Sequence, residues 1–407
     1  MSSVSKRFLR YIKIDTQSND EGKTIPTTEN QWNLAHLLEK ELNELRLQEV
    51  KVNQKCFVTA TLPANIDKKI PVIGFLAHMD TSPDFSGKNV KPQVIENYDG
   101  EVIILNKKMK LSPREFPDLK HYVGQTLITT DGTTLLGADD KAGVAEIMTA
   151  LEHLQAHPEL KHGTIKIAFT PDEEVVMGIG HFDVKGFGAD FAYTLDGGPL
   201  GEIEYENFNA ARAYVTVHGK SVHPGDAKGV MVNSMQVFFE LNAMLPVEQR
   251  PEYTSGREGF FHLWKMPQGT VNQTEGIYLI RDHDSQKFET KVKLMQDCAQ
   301  FINKKHGSGT VEARILRQYR NMKPMLEPVF HVVKTAKQAM QELDITPIIK
   351  PIRGGTDGAK LSYMGLPTPN LFGGGHNFHG PYEYIPVQSM EKAVQVVLKI
   401  IELYAKK

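Results

Sequence analysis

The sequence predicts an α/β protein with a mixed, mostly parallel sheet flanked by helices and a smaller inserted α+β domain. Continuous apolar runs at 71–77 and 165–169 alternate with segments of helical periodicity, which is typical of a sheet covered on both faces. In the middle of the chain, 213–218 alternates between apolar and polar residues, as in an antiparallel strand with one exposed face. The length of 407 residues exceeds what one hydrophobic core usually supports, so we expect two domains.

The first part of the chain contains a helix followed by the strands of the main sheet. A capping-box pattern, Thr28-Glu29-Asn30-Gln31, predicts where this helix begins. Apolar residues then recur at helical spacing at Trp32, Ala35, Leu38, Leu42 and Leu45. Strands are predicted at 71–77, 165–169 and 191–195, and a helix carries Val144, Ile147, Met148, Leu151 and Leu154. A last helix, behind Ser389, is indicated by Met390, Val394, Leu398 and Ile401.

The pattern in the middle of the chain predicts a separate α+β domain. It has predicted strands at 213–218, 276–280 and 310–314, and helices around 235–241 and 291–302. We therefore expect a main domain in two segments, 1–208 and 321–407, with a smaller domain at 209–320, called the lid domain, inserted between them.

Composition and charge narrow the range of partners and cofactors to expect. A formal net charge of -2 gives no reason to expect nucleic acid or an anionic membrane as a partner. Only Cys56 and Cys298 are present, which excludes a disulfide framework and a thiolate zinc cluster. The N-terminal residues lack the apolar stretch of a signal peptide. We expect a cytoplasmic protein.

Histidines and carboxylates follow three of the predicted strands and lie close to two of the predicted helices. They occur at five places: His78 with Asp80, Asp139 with Asp140, Glu173 with Glu174, Asp196, and His379. The carboxyl ends of parallel strands meet at one edge of a sheet, so these segments should converge. A ligand set of imidazoles and carboxylates without cysteine suits zinc, cobalt or manganese.

The number of these groups fits two metal ions better than one. A single zinc takes about three protein ligands, whereas two metals need a bridging carboxylate and additional acidic groups. In the adjacent pair Glu173-Glu174, one carboxylate can bind metal while the other moves a proton. Three alternatives remain open: a solvated acidic turn at Glu173-Glu174, Asp140 in place of Asp139, and His376 in place of His379.

Together these segments resemble a known family. The chain is similar, essentially end to end, to tripeptide aminopeptidases of the two-domain zinc metallopeptidase family that includes aminoacylases, carboxypeptidases and succinyl-diaminopimelate desuccinylase. The motifs that carry the resemblance are His78-Met-Asp-Thr-Ser-Pro-Asp84, Leu136-Gly-Ala-Asp-Asp-Lys-Ala-Gly143, Phe169-Thr-Pro-Asp-Glu-Glu174, Val222-His-Pro-Gly225 and Pro351-Ile-Arg-Gly-Gly-Thr-Asp-Gly358.

The resemblance implies a role for each residue of the cluster. His78, Asp139 and Asp196 would hold one zinc, and Glu174, His379 and the shared Asp139 would hold the other, with cobalt or manganese as substitutes. Asp80 would orient His78, and Glu173 would be the general base for a water activated by the two metals. The family pattern selects Asp139 over Asp140 and implies a cis peptide between them.

The resemblance also implies the substrate. Short peptides would be the substrates, hydrolysis would release the N-terminal residue of a tripeptide, and His223 would hold the oxyanion. Restricting cleavage to tripeptides requires recognition of both ends, so Arg353 and Arg281 are candidates to bind the peptide carboxylate, with a surface salt bridge as the alternative for Arg281. Asn207 would position the peptide backbone. A lid-domain residue would reach the metals only if that domain closes.

Two other hypotheses about function stay open, and so does the oligomeric state. A dipeptidase or an N-acyl-amino-acid deacylase would use the same metals and the same base. A binding protein that has kept the fold without catalysis is the non-enzymatic alternative. The sequence leaves open whether the lid domain also forms a homodimer.

Overall fold

The computed structural model describes residues 1–407 and divides into two compact units. Unit 1 consists of Met1–Tyr205, Pro324–Lys350 and Thr356–Lys407, and unit 2 of Glu206–Lys323 and Pro351–Gly355. For comparison, the sequence placed the inserted domain at 209–320. The sequence assigned 351–355 to the main domain, whereas the structure groups these residues with unit 2. Arg353 donates hydrogen bonds to the carbonyls of Gly256 and Glu258, which ties its segment to unit 2.

Unit 1 is built on an eight-stranded mixed sheet. Its strands are, in spatial order, β1 (Gln48–Val52), β2 (Val58–Leu62), β8 (Ile165–Thr170), β3 (Ile73–His78), β9 (Phe191–Gly197), β16 (Asn370–Phe372), β10 (Glu202–Glu204) and β15 (Ile348–Ile349). The central strands β8, β3, β9 and β16 run parallel. Two small antiparallel sheets complete unit 1: β4 (Gln93–Ile95), β7 (Leu127–Thr129) and β17 (Tyr384–Pro386) form one, and β5 (Ile103–Ile104) and β6 (Lys110–Leu111) form the other.

Helices cover both faces of the main sheet. They are α1 (Ser3–Tyr11), α2 (Gln31–Glu44), α3 (Ala138–Ala156), α4 (Val184–Phe187), α8 (His331–Gln341), α9 (Asp357–Tyr363) and α10 (Val387–Lys406), with a short α7 (Lys323–Leu326) where the chain leaves unit 2. One face contributes Phe75 and Tyr193 to a core with α3 and α10, and the other contributes Leu76 and Ala192 to a core with α9. Every residue of β3 is buried. This explains its unbroken apolar sequence, since a strand covered on both faces has no polar side.

Unit 2 is a four-stranded antiparallel sheet with two helices. The strands are, in spatial order, β12 (Phe260–Gly269), β13 (Gln273–Asp282), β11 (Asn209–His218) and β14 (Val311–Tyr319), and the helices are α5 (Ser234–Met244) and α6 (Ser285–His306). Alternate residues of β11 and β13, among them Val215 and Ile280, pack against Phe238 and Met295 of the helices. This alternation is the pattern that identified 213–218 in the sequence.

Among the features that differ from the sequence prediction are strand β12 and the start of helix α2. Strand β12 was not predicted, because most of its residues are exposed and its apolar residues do not alternate regularly. Helix α2 lies where predicted, but the capping box does not form. Asn30 precedes the helix without a side-chain cap, and the Thr28 hydroxyl instead donates to the Gln17 carbonyl. None of the helices is both long enough and apolar enough to span a membrane.

Candidate active site

The candidate site lies at the carboxyl edge of the parallel strands of unit 1. His78 is the last residue of β3, and β8 ends at Thr170, three residues before Glu173. Asp196 is the penultimate residue of β9, the other neighbour of β3. Because these three strands are parallel and adjacent, their following segments meet as the sequence predicted.

Asp80 holds the first histidine and the two glutamates together. His78 Nδ1 lies 3.0 Å from the Asp80 carbonyl oxygen and 3.4 Å from its carboxylate. The same carboxylate accepts hydrogen bonds from the backbone N–H groups of Glu173, at 3.0 Å, and Glu174, at 3.2 Å. His78 Nδ1 is thereby occupied, so Nε2 faces the site.

Asp139 lies between the two predicted histidines. One of its carboxylate oxygens is 2.8 Å from His78 Nε2, and the other is 3.2 Å from His379 Nε2. A carboxylate that presents one oxygen to each imidazole has the arrangement expected of a bridging ligand.

Asp196 and Glu174 complete the cluster on either side. Asp196 lies 3.4 Å from His78 Nε2, and Glu174 lies 3.0 Å from His379 Nε2. Two groups of residues have ligand atoms close enough together to hold a cation: His78 with Asp139 and Glu174, and His78 with Asp140 and Asp196.

Asp139 and Asp140 have different surroundings, which bears on the choice between them. The peptide bond between them is cis, as predicted. The Asp140 carboxylate accepts hydrogen bonds from the backbone N–H groups of His78, at 3.1 Å, and Gly143, at 3.2 Å. Asp140 therefore stabilises the backbone at the end of β3 and the start of α3, and only Asp139 contacts both histidines.

His376, the alternative to His379, has partners of another kind. It is buried, forms a hydrogen bond of 2.7 Å with the Tyr122 hydroxyl, and stacks on the ring of Tyr384. Burial lowers its pKa to about 4. Neither His376 nor His379 belongs to the two groups defined above, but His379 lies 3.2 Å from Asp139 and 3.0 Å from Glu174, whereas His376 pairs with Tyr122.

The electrostatics of the cluster favour a bound cation. Burial, and then the neighbouring Asp139, raise the pKa of Glu174 to about 8. Burial raises the pKa of Asp196 to about 6, and burial followed by Asp196 raises the pKa of Glu173 well above its usual range. Crowded carboxylates of this kind must share protons or a cation.

The polar atoms of the cluster also fit a divalent metal. Glu174 Oε1 is buried and has no hydrogen-bond partner in the protein. The ion pairs of Asp139, Asp196 and Glu174 are all with histidines, so no lysine or arginine neutralises them. Imidazole nitrogens and carboxylate oxygens are the donors that zinc, cobalt and manganese accept.

His223 lies in unit 2 with a defined tautomer. It is exposed, and its Nδ1 accepts a hydrogen bond of 3.1 Å from the Gly225 N–H. In the neutral imidazole, the proton must then be on Nε2. His223 therefore presents one N–H donor to its surroundings.

Arg281 and Arg353 also lie in unit 2, and neither has a carboxylate partner. Arg281 is buried and donates to the carbonyls of Ala211 and Ile280 and to Gln318. Arg353 is partly exposed, lies over the ring of Phe208 and donates to carbonyls within unit 2. These neutral acceptors leave each positive charge without a counterion, which is costly for the buried Arg281.

Asn207 does not have the role predicted from the sequence. Its side chain is completely buried, its amide donates to the carbonyls of Phe208 and Arg320, and its Oδ1 accepts from the Met322 N–H. Both amide hydrogens are used within unit 2, so the side chain has no donor left for a peptide. Asn207 instead joins the start of β11 to the chain that follows β14.

Comparison with known proteins identifies the family. The model of peptidase family M20/M25/M40 matches residues 131–403. This chain belongs to that family and is a peptidase. A protein called peptidase T from Alkaliphilus oremlandii is 60% identical over 410 residues, covering 100% of both chains. Another peptidase T, from Caldanaerobacter subterraneus subsp. tengcongensis, is 59% identical, again with 100% of both chains covered.

Solved structures of this peptidase family have the same fold. The aminopeptidase PepT from Bacillus cereus superposes with a TM-score of 0.79 at 26% identity, covering 100% of this chain and 98% of that one. A tripeptidase from Staphylococcus aureus gives a TM-score of 0.80 at 23% identity, with coverage of 100% and 98%. The two-unit architecture is therefore that of the M20 peptidases.

Two carboxylates of this M20 peptidase were not singled out from the sequence. Asp84 lies 3.3 Å from His379 Nδ1, on the side of the ring opposite the cluster. Glu383 accepts hydrogen bonds from the backbone that leads into Asp139. Asp84 stood within a quoted motif, but nothing in its spacing links it to a histidine 295 positions away. The sequence contains no signal that distinguishes Glu383 from a surface glutamate.

Proposed function

We propose that this chain is a metal-dependent aminopeptidase that removes the N-terminal residue from tripeptides. The observation that carries the proposal is the position of Asp139, whose two carboxylate oxygens face His78 and His379. With Asp196 and Glu174 beside these histidines, the cluster has the ligands for two metal ions that share one carboxylate. The names of the relatives, peptidase T at 60% and 59% identity, support the substrate class.

The residues that would hold the metals are those of the cluster. His78, Asp139 and Asp196 would hold one zinc, and Asp139, Glu174 and His379 the other, with cobalt or manganese as substitutes. When bound, the metals would make a water molecule acidic enough to act at neutral pH and would polarise the scissile carbonyl.

Glu173 is proposed as the general base and acid. Its backbone is fixed by Asp80 at 3.0 Å, and it stands next to Glu174 without being part of either group that could hold a cation. Its carboxylate would accept the proton of the attacking water and then deliver it to the leaving amine. Asp80 acts through others, by orienting His78 and by holding the backbone of both glutamates.

Residues of unit 2 are proposed to recognise the peptide. The Nε2–H of His223 would donate to the oxygen on which negative charge develops. The unpaired charges of Arg353 and Arg281 would attract the C-terminal carboxylate, for which a guanidinium provides two parallel donors. The location in the cytoplasm and a homodimer through unit 2 remain predictions.

The test is product analysis of the zinc-loaded protein by mass spectrometry. Four substrates are compared: a tripeptide with a free N-terminus, the same tripeptide N-acetylated, and the homologous dipeptide and tetrapeptide. We expect release of the N-terminal residue from the free tripeptide alone. Cleavage of the acetylated peptide would instead identify a deacylase, and preference for the dipeptide would identify a dipeptidase. Absence of turnover in a protein that has bound zinc would contradict the proposal.

A further inference from the structure

Glu383 occupies an unusual position for a charged residue in unit 1. It is 1% exposed and forms no ion pair with a lysine or arginine. A buried charge of this kind is tolerated only where hydrogen bonds compensate for the lost hydration. The hydrogen-bond partners of Glu383 therefore indicate its role.

The carboxylate is held by consecutive backbone N–H groups. Glu383 Oε2 accepts from Leu136 at 2.6 Å and from Gly137 at 2.9 Å, and Oε1 accepts from Ala138 at 2.7 Å and from Asp139 at 3.2 Å. The N–H groups converge because Gly137 has φ = 85°, a left-handed conformation that glycine adopts without strain. The last of the four donors belongs to the residue that lies between the two histidines.

Glu383 is also joined to the segment that carries His379. The backbones of His376 and Tyr384 exchange two hydrogen bonds, of 2.9 and 3.1 Å, which closes residues 376–384 into a hairpin. Tyr384 begins β17, which pairs with β7 and fixes this hairpin within unit 1. Glu383 and His379 thus lie on one short loop, four residues apart.

We propose that Glu383 is a positioning residue that sets the bridging carboxylate of Asp139 against both histidines before metal binds. One loop carries the ligand His379, and the carboxylate of the same loop holds the backbone on which Asp139 stands. Any shift of residues 136–139 relative to the loop 376–384 would alter the 3.2 Å distance between the Asp139 carboxylate and His379 Nε2. This inference rests on the proposed metal-binding function, and Glu383 itself touches neither metal nor substrate.

The first test compares Glu383→Gln with a matched control, Glu41→Gln. The side-chain amide that replaces the Glu383 carboxylate would place an NH₂ group against backbone N–H donors. About half of the four hydrogen bonds to residues 136–139 would then be lost. Glu41 is also a buried glutamate of unit 1, and it is bonded to Arg10 and to the Tyr11 hydroxyl on α1. A residue with a purely structural role would lower the unfolding temperature without changing the chemistry of the folded protein.

Zinc affinity of the metal-free proteins is measured by competition with a chromophoric chelator, and kcat and KM are measured well below the unfolding temperature. We expect Glu383→Gln to bind zinc about 10- to 100-fold more weakly, the size seen when support of a metal ligand is removed. Its kcat should fall while KM stays nearly unchanged, and Glu383→Asp, which retains a carboxylate, should recover part of the affinity. Glu41→Gln should match the wild type in zinc affinity and in kcat. A folded Glu383→Gln with wild-type zinc affinity and kcat would overturn the proposal.

A second measurement uses the unmodified protein, in case the variants do not fold. Amide hydrogen exchange is followed across residues 136–139 in the metal-free wild type. We expect these amides to exchange as slowly as those of buried β3, because Glu383 already holds them. The opposite result would be that these amides exchange as fast as those of an unstructured peptide and slow down only after zinc is added. That result would show that the hydrogen bonds of Glu383 do not preorganise the site. A wild type that binds no zinc at all would instead refute the proposed function.

Discussion

At the scale of single residues, Glu173 and Glu174 are neighbours with different surroundings. Glu174 lies 3.0 Å from His379 and belongs to a group that could hold a cation, whereas Glu173 belongs to neither group. We expect Glu173→Gln to lose about 10²- to 10⁴-fold in kcat, the contribution typical of a general base, while zinc content stays at the wild-type level. Kinetics combined with elemental analysis of the dialysed protein checks this.

The matched variant for Glu173→Gln is Glu174→Gln, which should bind less zinc. Loss of zinc from both variants, or retained turnover in Glu173→Gln, would show that the roles of the two glutamates have been assigned wrongly.

His223 gives a second prediction at this scale. Its tautomer, fixed by the Gly225 N–H, leaves an Nε2–H donor that Ala cannot supply. We expect His223→Ala to reduce kcat by about 10²- to 10³-fold, as for removal of one oxyanion donor, with unchanged zinc affinity. His218→Ala is the control, because His218 is also exposed on unit 2 and pairs only with Glu312. Equal effects of the two substitutions would rule out the assigned role of His223.

Residue types and strand ends indicated a metal cluster, the family resemblance selected its members, and neither predicted how those members are supported. Metal chemistry requires particular donors at the edge of a parallel sheet, which pointed to His78, to Asp139 or Asp140, and to His379 or His376. The resemblance to a known family then selected Asp139 and His379. It assigned Asn207 to substrate, although this amide satisfies buried backbone groups. A side chain that binds substrate and one that binds backbone look the same in a sequence, since the difference lies in distant partners.

At the scale of elements, α3 packs so closely on β9 that it has no room for a side chain at Gly143. A Cβ there would lie 2.5 Å from the Leu195 carbonyl oxygen and 2.5 Å from the Asp140 carboxylate. Helix propensity alone predicts that alanine stabilises α3 by about 1 kcal/mol. The contact with β9 predicts the opposite, and we expect Gly143→Ala to lower the free energy of unfolding by about 1–3 kcal/mol.

Denaturant unfolding of Gly143→Ala checks this, with Gly180→Ala as the control. A Cβ at Gly180 meets nothing within 4 Å, so its unfolding free energy should stay within about 0.5 kcal/mol of the wild type. A stabilised Gly143→Ala would mean that α3 and β9 can separate without cost.

The elements predicted correctly are those whose burial leaves a periodic pattern. Strand β3, buried on both faces, and β11, buried on one, have apolar sequences of the two kinds that sheets produce. Strand β12 and the two-residue strand β15 have mostly exposed or partly exposed positions. Their pairing is decided by neighbouring strands, which local sequence does not specify.

At the scale of the whole molecule, the two units differ in what should stabilise them. Each has its own hydrophobic core, with Phe75 and Tyr193 in that of unit 1 and Phe238 and Ile280 in that of unit 2. The candidate metal ligands, by contrast, all belong to unit 1. Zinc binding should therefore be linked to the folding of one unit only, since a ligand stabilises the folded part that binds it.

Scanning calorimetry with and without a chelator tests this linkage. Zinc at about 1,000 times its Kd stabilises a binding unit by about 4 kcal/mol, so we expect chelation to lower the transition of unit 1 by several degrees and leave that of unit 2 in place. Ile280→Ala, at a fully buried position of β13, identifies the second transition because it should destabilise unit 2 by about 2–5 kcal/mol. If chelation moved only the transition that Ile280→Ala also moves, the metal site would have to be sought in unit 2, and the assignment of the His78–Asp139–His379 cluster would fail.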